Sequence, residues 1–581
     1  MVVLRPHRFP RALLRRLCDS DDDLDDLALL LRGRASRNAL YLRIVRDAAI
    51  GSPGADAFRS HITVLIELQR THPAEVAAML AGPHFGAWAA HCVRRLTAGA
   101  APDDVVPVAV DLGHLGALVG AAALRAGAAV SVVVPVRDGA VVVPGAGRIP
   151  LPEPFPEWAT LRCAAGVAAV EALGSTVTEW RPLATVYGDL ASGHRFAVAI
   201  DPTDPYLRFV EQADTNTVDQ PRWHNRFRSA CAIVDRLYLR KATAMAHSIS
   251  CLVPVAAEDA GFGLSATSAF AAGAVALTEP SSALGLAATL VHEHQHLKLN
   301  ALHDLLPLFA ESDRRYYSPW RDDPRPVAGL LHGAYAFLGV GDFWLRTCRT
   351  PSTGSHRGPH LEVARIARQI DIACDALAGS PDLTDVGVEL LTHLTRQAER
   401  WRTHDPPADI ARVADDVVTE HQVRWRLHHL AAPAAEIRAL ATARTGPDTG
   451  RWSPAPAPDP APTAYGTEAP LAAAATRWAA GERLTSIIDR LVLDGRYAVA
   501  QSLLIGRVRA GATQQDWITL AVVARHTELG RWCTPLRTHP EVAYALHREL
   551  RRRGLPGDLA TVARAMSNYV AGTSMSLSAR R

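Results

Sequence analysis

The chain has 581 residues, with 62 Lys and Arg against 59 Asp and Glu, which gives a formal net charge of +3. Hydrophobic residues make up 48% and charged residues 21%, a composition typical of a soluble globular protein that excludes a disordered chain. The nearly neutral charge argues against a nucleic-acid partner, since such proteins concentrate basic residues. At roughly 150 residues per domain, the length predicts about two to four units.

The scarcity of lysine and the scatter of cysteine exclude several kinds of site. Lys241 and Lys298 are the only lysines, which leaves few candidates for a Schiff-base or P-loop lysine. The eight cysteines form no CxxC pair, so zinc-ribbon and iron–sulfur sites are excluded, and their scatter suits a reducing cytoplasm. Residues 1–16 are Arg-rich without the apolar segment of a signal peptide. We therefore expect a cytoplasmic protein.

The first third of the chain predicts helices followed by a mixed region. Residues 1–103 form a predicted helical region, in which the acidic cluster Asp19–Asp26 precedes the apolar run Leu27–Leu31, as at a helix N-terminus. We expect this cluster to be a solvated acidic face. Residues 104–204 predict a mixed α/β region. Its most apolar stretch, Val105–Val136, is interrupted by polar residues and predicts a buried core segment rather than a membrane span.

Strand signals begin within this mixed region. Val130–Val136 and Ala140–Val143 flank Arg137-Asp138-Gly139, which predicts a hairpin-like turn with Asp-Gly at its centre. A further apolar strand is predicted over Arg195–Ile200.

Residues 205–350 are predicted as the core that carries the chemistry. The elements predicted there are a helix over Trp223–Ala246, strands over Ser250–Val255, Ser265–Phe270 and Ala274–Leu277, a helix from Pro280-Ser281-Ser282 through Leu302, and a helix over 327–348. Ser281 or Ser282 is the expected N-cap of the long helix.

The remainder of the chain is predicted as a helical region at 351–444, a Pro/Ala-rich linker at 445–468 and a C-terminal helical region at 469–581. The predicted fold class is α+β and mostly helical, with a zincin-like HExxH core between helical N- and C-terminal regions.

The sequence His292-Glu293-His294-Gln295-His296 contains the motif H-E-x-x-H on the predicted helix. Residues four apart share a helix face, so His292 and His296 can bind one metal ion, and Glu293 can approach a water or substrate at that ion. The strand candidates before this helix match zinc-peptidase-like folds, in which an edge strand lines the cleft and can pair with a peptide. These features predict a metal site.

A third metal ligand must come from outside the motif. His294 points away from the pair and is expected at the surface or behind the ligands. His303 lies about 10 Å further along the helix, and the third-histidine spacing of the metzincins is missing, so that class is rejected. Glu311 and His332 remain as candidates, and the apolar run with Gly333 around His332 favours the histidine.

An aromatic and arginine-rich loop, residues 314–326, lies between these helices. Its arginines can bind a carboxylate with two hydrogen bonds, which predicts a carboxylate clamp beside the metal. The alternative is a surface loop in which the arginines pair with Asp322 and Asp323.

The segments His292–His296, Tyr316-Tyr317-Ser318-Pro319-Trp320-Arg321-Asp322-Asp323-Pro324-Arg325-Pro326 and Gly329–Tyr335 together resemble the HExxH-type α-ketoglutarate-dependent peptide β-hydroxylases. These bacterial enzymes modify ribosomally synthesised peptides. The resemblance is strongest over residues 205–350. Related domains are fused to radical-SAM maturases, whose cysteine cluster this chain lacks, so it would be a stand-alone version.

The resemblance implies that the helix holds Fe(II) rather than zinc. The implied metal ligands are His292, His296 and His332, a set that departs from the usual two histidines and one carboxylate. Arg321, and after it Arg325, would bind the distal carboxylate of α-ketoglutarate. Glu293 would orient the substrate or a bound water. The implied partners are a precursor peptide and O2, with no nucleic acid and no membrane.

Two other functions stay open at this point. The first is a zinc metallopeptidase, in which Glu293 is the general base that activates a zinc-bound water. The second is a non-catalytic binder of leader peptides that uses the helical flanks as its interaction surface.

Overall fold

The architecture is described from a computed structural model. It describes residues 7–99, 106–207, 218–256, 264–350, 357–442, 455–456, 470–511, 513–527, 536, 538–566 and 576–577. The chain divides into two compact units, Met1–Leu306 (unit 1) and Pro307–Arg581 (unit 2), and the predicted core at 205–350 extends across their boundary. The structure is mostly helical with smaller sheets, which confirms the α+β, mostly helical class.

Unit 1 is built from helices around three small sheets. Its described helices are α1 (Leu13–Leu17), α2 (Leu24–Ala48), α3 (Ala55–Thr71), α4 (Pro73–Ala81), α5 (Pro83–Ala98), α6 (Val108–Ala126), α7 (Gln220–Leu237), α8 (Lys241–Ser248) and α9 (Ala283–His303). The apolar helix α6 lies in a core formed with α3, α5 and the strands beside them. In the described part of the chain, α6 alone is long and apolar enough to cross a membrane, and 72% of its most apolar window is buried, as in the core of a soluble protein.

The strands of unit 1 form three sheets. They are β1 (Val130–Pro135), β2 (Ala140–Val143), β3 (Gly147–Pro150), β4 (Trp158–Ala164), β5 (Val167–Ala172), β6 (Ser175–Val177), β7 (Arg181–Pro182), β8 (Ala184–Asp189), β9 (Arg195–Ile200), β10 (Cys251–Pro254), β11 (Ser265–Thr267) and β12 (Ala274–Leu277). The sheet orders are β1-β4-β5-β6, β2-β3-β7 and β11-β12-β10-β9-β8. In the third sheet β10 is parallel to both β9 and β12, whereas β8 and β11 are antiparallel to their neighbours.

The hairpin-like turn predicted at Arg137-Asp138-Gly139 is confirmed, but the strands β1 and β2 that flank it do not pair with each other. Asp138 and Gly139 both have positive φ, as the turn requires, but Arg137 and Ala140 make a single isolated bridge. β1 instead pairs with β4, and β2 pairs with β3. The backbone N–H of Val136, just after β1, donates to the carbonyl of Glu157, just before β4. The pairing of β1 with β4 therefore continues to the start of the turn.

The predicted helix over Trp223–Ala246 forms in two parts, α7 and α8, with a break at residues 238–240. The carboxylate of Asp21 accepts the backbone N–H groups of Leu239 and Arg240 at 3.1 Å, so a side chain distant in sequence stabilises the break. The predicted strand at Ser265–Phe270 forms only over Ser265–Thr267.

Unit 2 is helical, with two-residue strands. Its described helices are α10 (Val327–Cys348), α11 (Arg357–Ala378), α12 (Asp385–Glu399), α13 (Ala408–His429), α14 (Ala434–Thr442), α15 (Pro470–Ala479), α16 (Ile487–Leu493), α17 (Tyr497–Gly511), α18 (Gln514–Val523), α19 (Pro540–Arg552) and α20 (Leu559–Ala565), with 3-10 helices at Arg400–Thr403 and Ala524–His526. β13 (Arg315–Tyr316) pairs with β16 (Ser576–Leu577), and β14 (Leu430–Ala431) pairs with β15 (Ala455–Pro456). Most of the predicted linker at 445–468 lies outside the described residues.

Candidate metal centre

Helix α9 presents the H-E-x-x-H motif. It begins after Ser282, whose hydroxyl accepts the backbone N–H of Gly285 at 3.0 Å, so one of the two predicted N-caps is confirmed. At 3.6 residues per turn, His292 and His296 share one face of the helix, and His294 lies on the other. The two faces have different surroundings.

The imidazoles of His292 and His296 converge. Their Nε2 atoms are 3.0 Å apart, and the ring planes are inclined at 79°. Two nitrogens bound to one metal ion at about 2.0–2.1 Å, and separated by about 90–110° at the ion, would lie roughly 3.0–3.4 Å apart. The pair therefore has the spacing of two ligands to one ion.

Both rings are in the protonation state that a metal needs. Burial lowers the pKa of His292 to about 4. Burial, reinforced by the neighbouring His292, also lowers the pKa of His296 to about 4, against the opposing charge of Glu293. Neutral imidazole is the form that ligates, so both side chains can bind a cation near neutral pH without first losing a proton.

Glu293 is held beside this pair by the neighbouring strand. Its side chain is 1% exposed, and its Oε1 accepts a hydrogen bond of 2.7 Å from the hydroxyl of Ser265 on β11. Its Oε2 is buried and has no hydrogen-bond partner among the described residues. A buried carboxylate oxygen without a donor is costly unless a ligand or water supplies one. The residues present thus fit a metal ion with a bound water or substrate.

The strand that holds Glu293 is the edge of its sheet. β11 pairs with β12 on one side, and the sheet order places no described strand on its other side. The predicted arrangement of an edge strand next to the motif helix is therefore present. An edge strand of this kind can accept an extended peptide as an added strand.

His294 forms the opposite face of α9. It is fully buried, so of the two predicted positions, at the surface or behind the ligands, the surface position is wrong. Its Nε2 lies 3.3 Å from a carboxylate oxygen of Asp22, which can only accept, so Nε2 carries the proton. Its Nδ1 then accepts from the hydroxyl of Ser248 at 2.8 Å. This histidine anchors α9 through Asp22 and Ser248.

Asp22 binds both lysines of the chain. Lys241 donates to one carboxylate oxygen at 2.9 Å and Lys298, on α9, donates to the other at 2.5 Å. Burial alone would raise the pKa of Asp22, but the two ammonium charges hold it well below its usual range. All three side chains are buried, so the carboxylate is ionised and bound from two sides.

The prediction of a solvated acidic face over Asp19–Asp26 is therefore wrong. Asp21 binds the N-terminus of α8, Asp22 binds the lysines, and Asp23 caps α2. Asp26 is buried and pairs with Arg16 at 2.5 Å and 2.6 Å. Asp21 and Asp22 are bound by partners 219 residues away in sequence, whereas Asp23 and Asp26 have nearer partners.

The predicted residues beyond position 306 belong to unit 2. His332 is half-buried on α10, in the second turn of that helix. Gly333 allows the indole of Trp320 to pack against the helix, because a Cβ there would lie 2.1 Å from its Nε1, and the indole also contacts Phe337. The loop and α10, which carry the family resemblance, are thus packed together within unit 2.

Arg321 and Arg325 share one partner in the loop. The Nε of Arg325 lies 2.8 Å from the Asp323 carboxylate, and the Nε of Arg321 lies 3.5 Å from it. This pairing is the one described by the surface-loop alternative, and binding of α-ketoglutarate by these arginines stays a prediction. Glu311 is exposed in an irregular segment before β13. Because His292 and His296 belong to unit 1, a third ligand from unit 2 also stays a prediction.

Sequence reasoning missed the residues that support the motif. Nothing local marks Ser265 as the partner of Glu293. For Asp22, a signal did exist: a chain that has 62 basic residues retains lysine at only two positions, and both contact this carboxylate. No protein family matches the chain, and no curated protein matches it.

Proposed function

We propose that the protein is an Fe(II)- and α-ketoglutarate-dependent enzyme that hydroxylates a side-chain β-carbon of a ribosomally synthesised precursor peptide. The main support for the metal centre is that the Nε2 atoms of His292 and His296 on α9 lie 3.0 Å apart. The choice of hydroxylation rests on the resemblance of residues 292–335 to the peptide β-hydroxylases. The zincin-like character of the core is part of this proposal.

The residues of the chain have separate tasks in this reaction. His292 and His296 hold the metal, with His332 as third ligand. When bound, Fe(II) with α-ketoglutarate and O2 supplies the oxidation, in which α-ketoglutarate becomes succinate and CO2 and one oxygen atom enters the peptide. Glu293, fixed by Ser265, offers its Oε2 as an acceptor to a substrate N–H or a water.

The edge strand β11 supports a peptide substrate. An extended peptide that pairs with β11 would run beside Ser265, whose hydroxyl binds Glu293 on the motif helix. Arg321 would bind the distal carboxylate of α-ketoglutarate, with Arg325 as the alternative, and either would have to exchange its pairing with Asp323 for the cosubstrate. We further propose a cytoplasmic location, with no nucleic-acid or membrane partner.

The assay that tests this proposal compares metals and cosubstrates. The full chain, purified without oxygen and loaded with Fe(II), is mixed with α-ketoglutarate, O2 and a peptide encoded beside the gene. We expect a product heavier by one oxygen atom and an equal amount of succinate. Peptide fragments that appear with zinc and without α-ketoglutarate would contradict the hydroxylase.

A zinc metallopeptidase is the second candidate, favoured by one feature of the site. The Oε2 of Glu293 is buried without a donor among the described residues, which is the arrangement that a general base for a metal-bound water needs. E293Q separates the two functions. A peptidase would lose cleavage entirely, whereas a hydroxylase would keep its Fe(II) and part of its turnover.

The third ligand is tested by H332A. If His332 binds the metal, the variant should lose metal at concentrations that saturate the wild type. Unchanged metal content would reject His332 as the third metal ligand, and another side chain would have to supply that ligand.

A further inference from the structure

A second group of metal-ligating side chains lies in unit 2. Cys348, His360 and His404 each offer one donor atom, and these three atoms lie within 4.8 Å of one another. All three residues are half-buried. Among the cysteines that the structure describes, Cys348 is the one that is not fully buried. The group shares no residue with the site on α9.

Three elements of unit 2 bring these residues together. Cys348 is the last residue of α10, His360 lies in the first turn of α11, and His404 follows the 3-10 helix Arg400–Thr403. The packing of α10 against α11 is the most extensive between any two described elements. The end of one helix and the start of the next are therefore held side by side.

The position of His404 is fixed by Trp401. The indole of this residue is buried against Gly341 on α10, where a Cβ would lie 2.3 Å from the ring. The backbone N–H of His404 donates to the carbonyl of Trp401 at 2.8 Å. Because Gly341 precedes Cys348 by about two helical turns, this packing ties the 3-10 helix to the face of α10 that ends at the thiol.

The two imidazoles already approach each other through their ring nitrogens. The Nδ1 of His360 and the Nε2 of His404 are 3.1 Å apart, and their rings are nearly parallel, with 14° between the planes. A tetrahedral zinc ion with Zn–N of about 2.0–2.1 Å and Zn–S of about 2.3 Å separates its ligand atoms by roughly 3.4–3.6 Å. The 3.1 Å between the two nitrogens is within a few tenths of an ångström of this range, and the three donor atoms all lie within 4.8 Å of one another.

We propose that Cys348, His360 and His404 bind one zinc ion and fix the meeting point of α10, α11 and the 3-10 helix. One thiolate and two imidazoles are donors that zinc prefers, and a fourth position remains for a water. The thiol proton of Cys348 is released when the metal binds.

Cobalt(II) is the probe for this site, because only a thiolate ligand gives the sulfur-to-cobalt charge-transfer band in the near ultraviolet. We expect the full-length protein to develop this band with one equivalent of Co(II), and excess zinc to remove it. C348S should abolish the band, and H404Q should weaken Co(II) binding at least about tenfold. C374S, which removes a buried thiol from α11, is the matched control and should keep the band.

The H292A/H296A double variant keeps this test separate from the proposed function, since it should retain the charge-transfer band in full. Absence of the band in the wild type, or its persistence in C348S, would overturn the proposal in favour of a simple hydrogen bond between His360 and His404. If C348S loses its helical circular-dichroism signal, the same Co(II) titration is done with H360N and H404Q. Unchanged Co(II) binding in both variants would also overturn the proposed zinc site.

Discussion

The two faces of α9 both carry histidine, but in different surroundings. His292 and His296 are half-buried and direct their Nε2 atoms toward a common point. His294, between them in sequence, is fully buried and hydrogen-bonded to Asp22 and Ser248. The difference lies in the partners rather than in the histidines. One face brings two imidazoles together where we propose a metal ion, and the other fixes the helix that positions them.

The comparison predicts that mutations on the two faces fail in different ways. Substitutions on the metal face, which carries His292 and His296, should remove the metal and leave the fold intact. Substitutions on the anchoring face, which carries His294 and Lys298, should lower the stability of the fold, and the protein should still bind metal.

The largest effect is expected from H296A. Loss of one of two converging imidazoles should abolish Fe(II) binding at the site on α9, at concentrations that saturate this site in the wild type, with an unchanged circular-dichroism spectrum. Metal content after anaerobic loading with Fe(II) measures this. H303A, at the end of the same helix, is the control and should bind as the wild type does. Equal iron in H296A and H303A would contradict the assignment of the metal face.

D22A should cause the largest loss of stability. It leaves two buried ammonium groups without their carboxylate, and removal of one partner from such a group costs about 3–5 kcal/mol. Urea denaturation followed by circular dichroism measures the change in the free energy of unfolding. The matched control is D25A, at an exposed position of the same acidic cluster, which should change stability little. A D22A protein as stable as D25A would show that the contacts of Asp22 with Lys241, Lys298 and His294 are dispensable for stability.

K298R tests whether the two lysines are retained for their shape. Both ammonium groups are buried against Asp22, and the planar guanidinium of arginine cannot place its donors where the compact ammonium of Lys298 does. We therefore expect a loss of about 1–3 kcal/mol from buried hydrogen bonds that are no longer made. The reverse change at a mostly exposed position, R59K, is the control and should be close to neutral. Equal denaturation midpoints for K298R and the wild type would exclude a geometric reason for lysine here.

S265A should have the smallest effect, and on turnover rather than on metal content. The hydroxyl of Ser265 orients Glu293, and loss of a partner that orients a group at a metal site lowers activity by about tenfold. Turnover at saturating Fe(II) measures it, with S268A from the following loop as control. A full loss of metal in S265A would instead place Glu293 among the ligands.

The sequence predicted what depends on near neighbours along the chain. Ser282 caps α9, β12 spans the predicted Ala274–Leu277, and the four-residue spacing of His292 and His296 brings their rings together. Each of these follows from helix or strand geometry over a few residues. The fold class followed in the same way from the predominance of helical patterns.

What the sequence did not predict depends on contacts between distant positions. Asp22 meets Lys241 and Lys298 across more than 200 residues, so its acidic neighbourhood alone suggested a solvated surface. β1 prefers β4 to the adjacent β2 for a similar reason, since partner choice in a sheet is decided by the whole unit. Cys348, His360 and His404 carry no spacing motif, because three separate elements supply them.

The source of the oxygen atom in the product tests the central claim most directly. The full chain with Fe(II), α-ketoglutarate, the precursor peptide and isotopically labelled O2 should yield a peptide with one labelled oxygen on a β-carbon and succinate with the other. H292A, as the matched control, should incorporate none. A peptide that carries label only when the water is labelled, at a newly formed carboxylate end, would contradict hydroxylation and identify the metal centre as a peptidase.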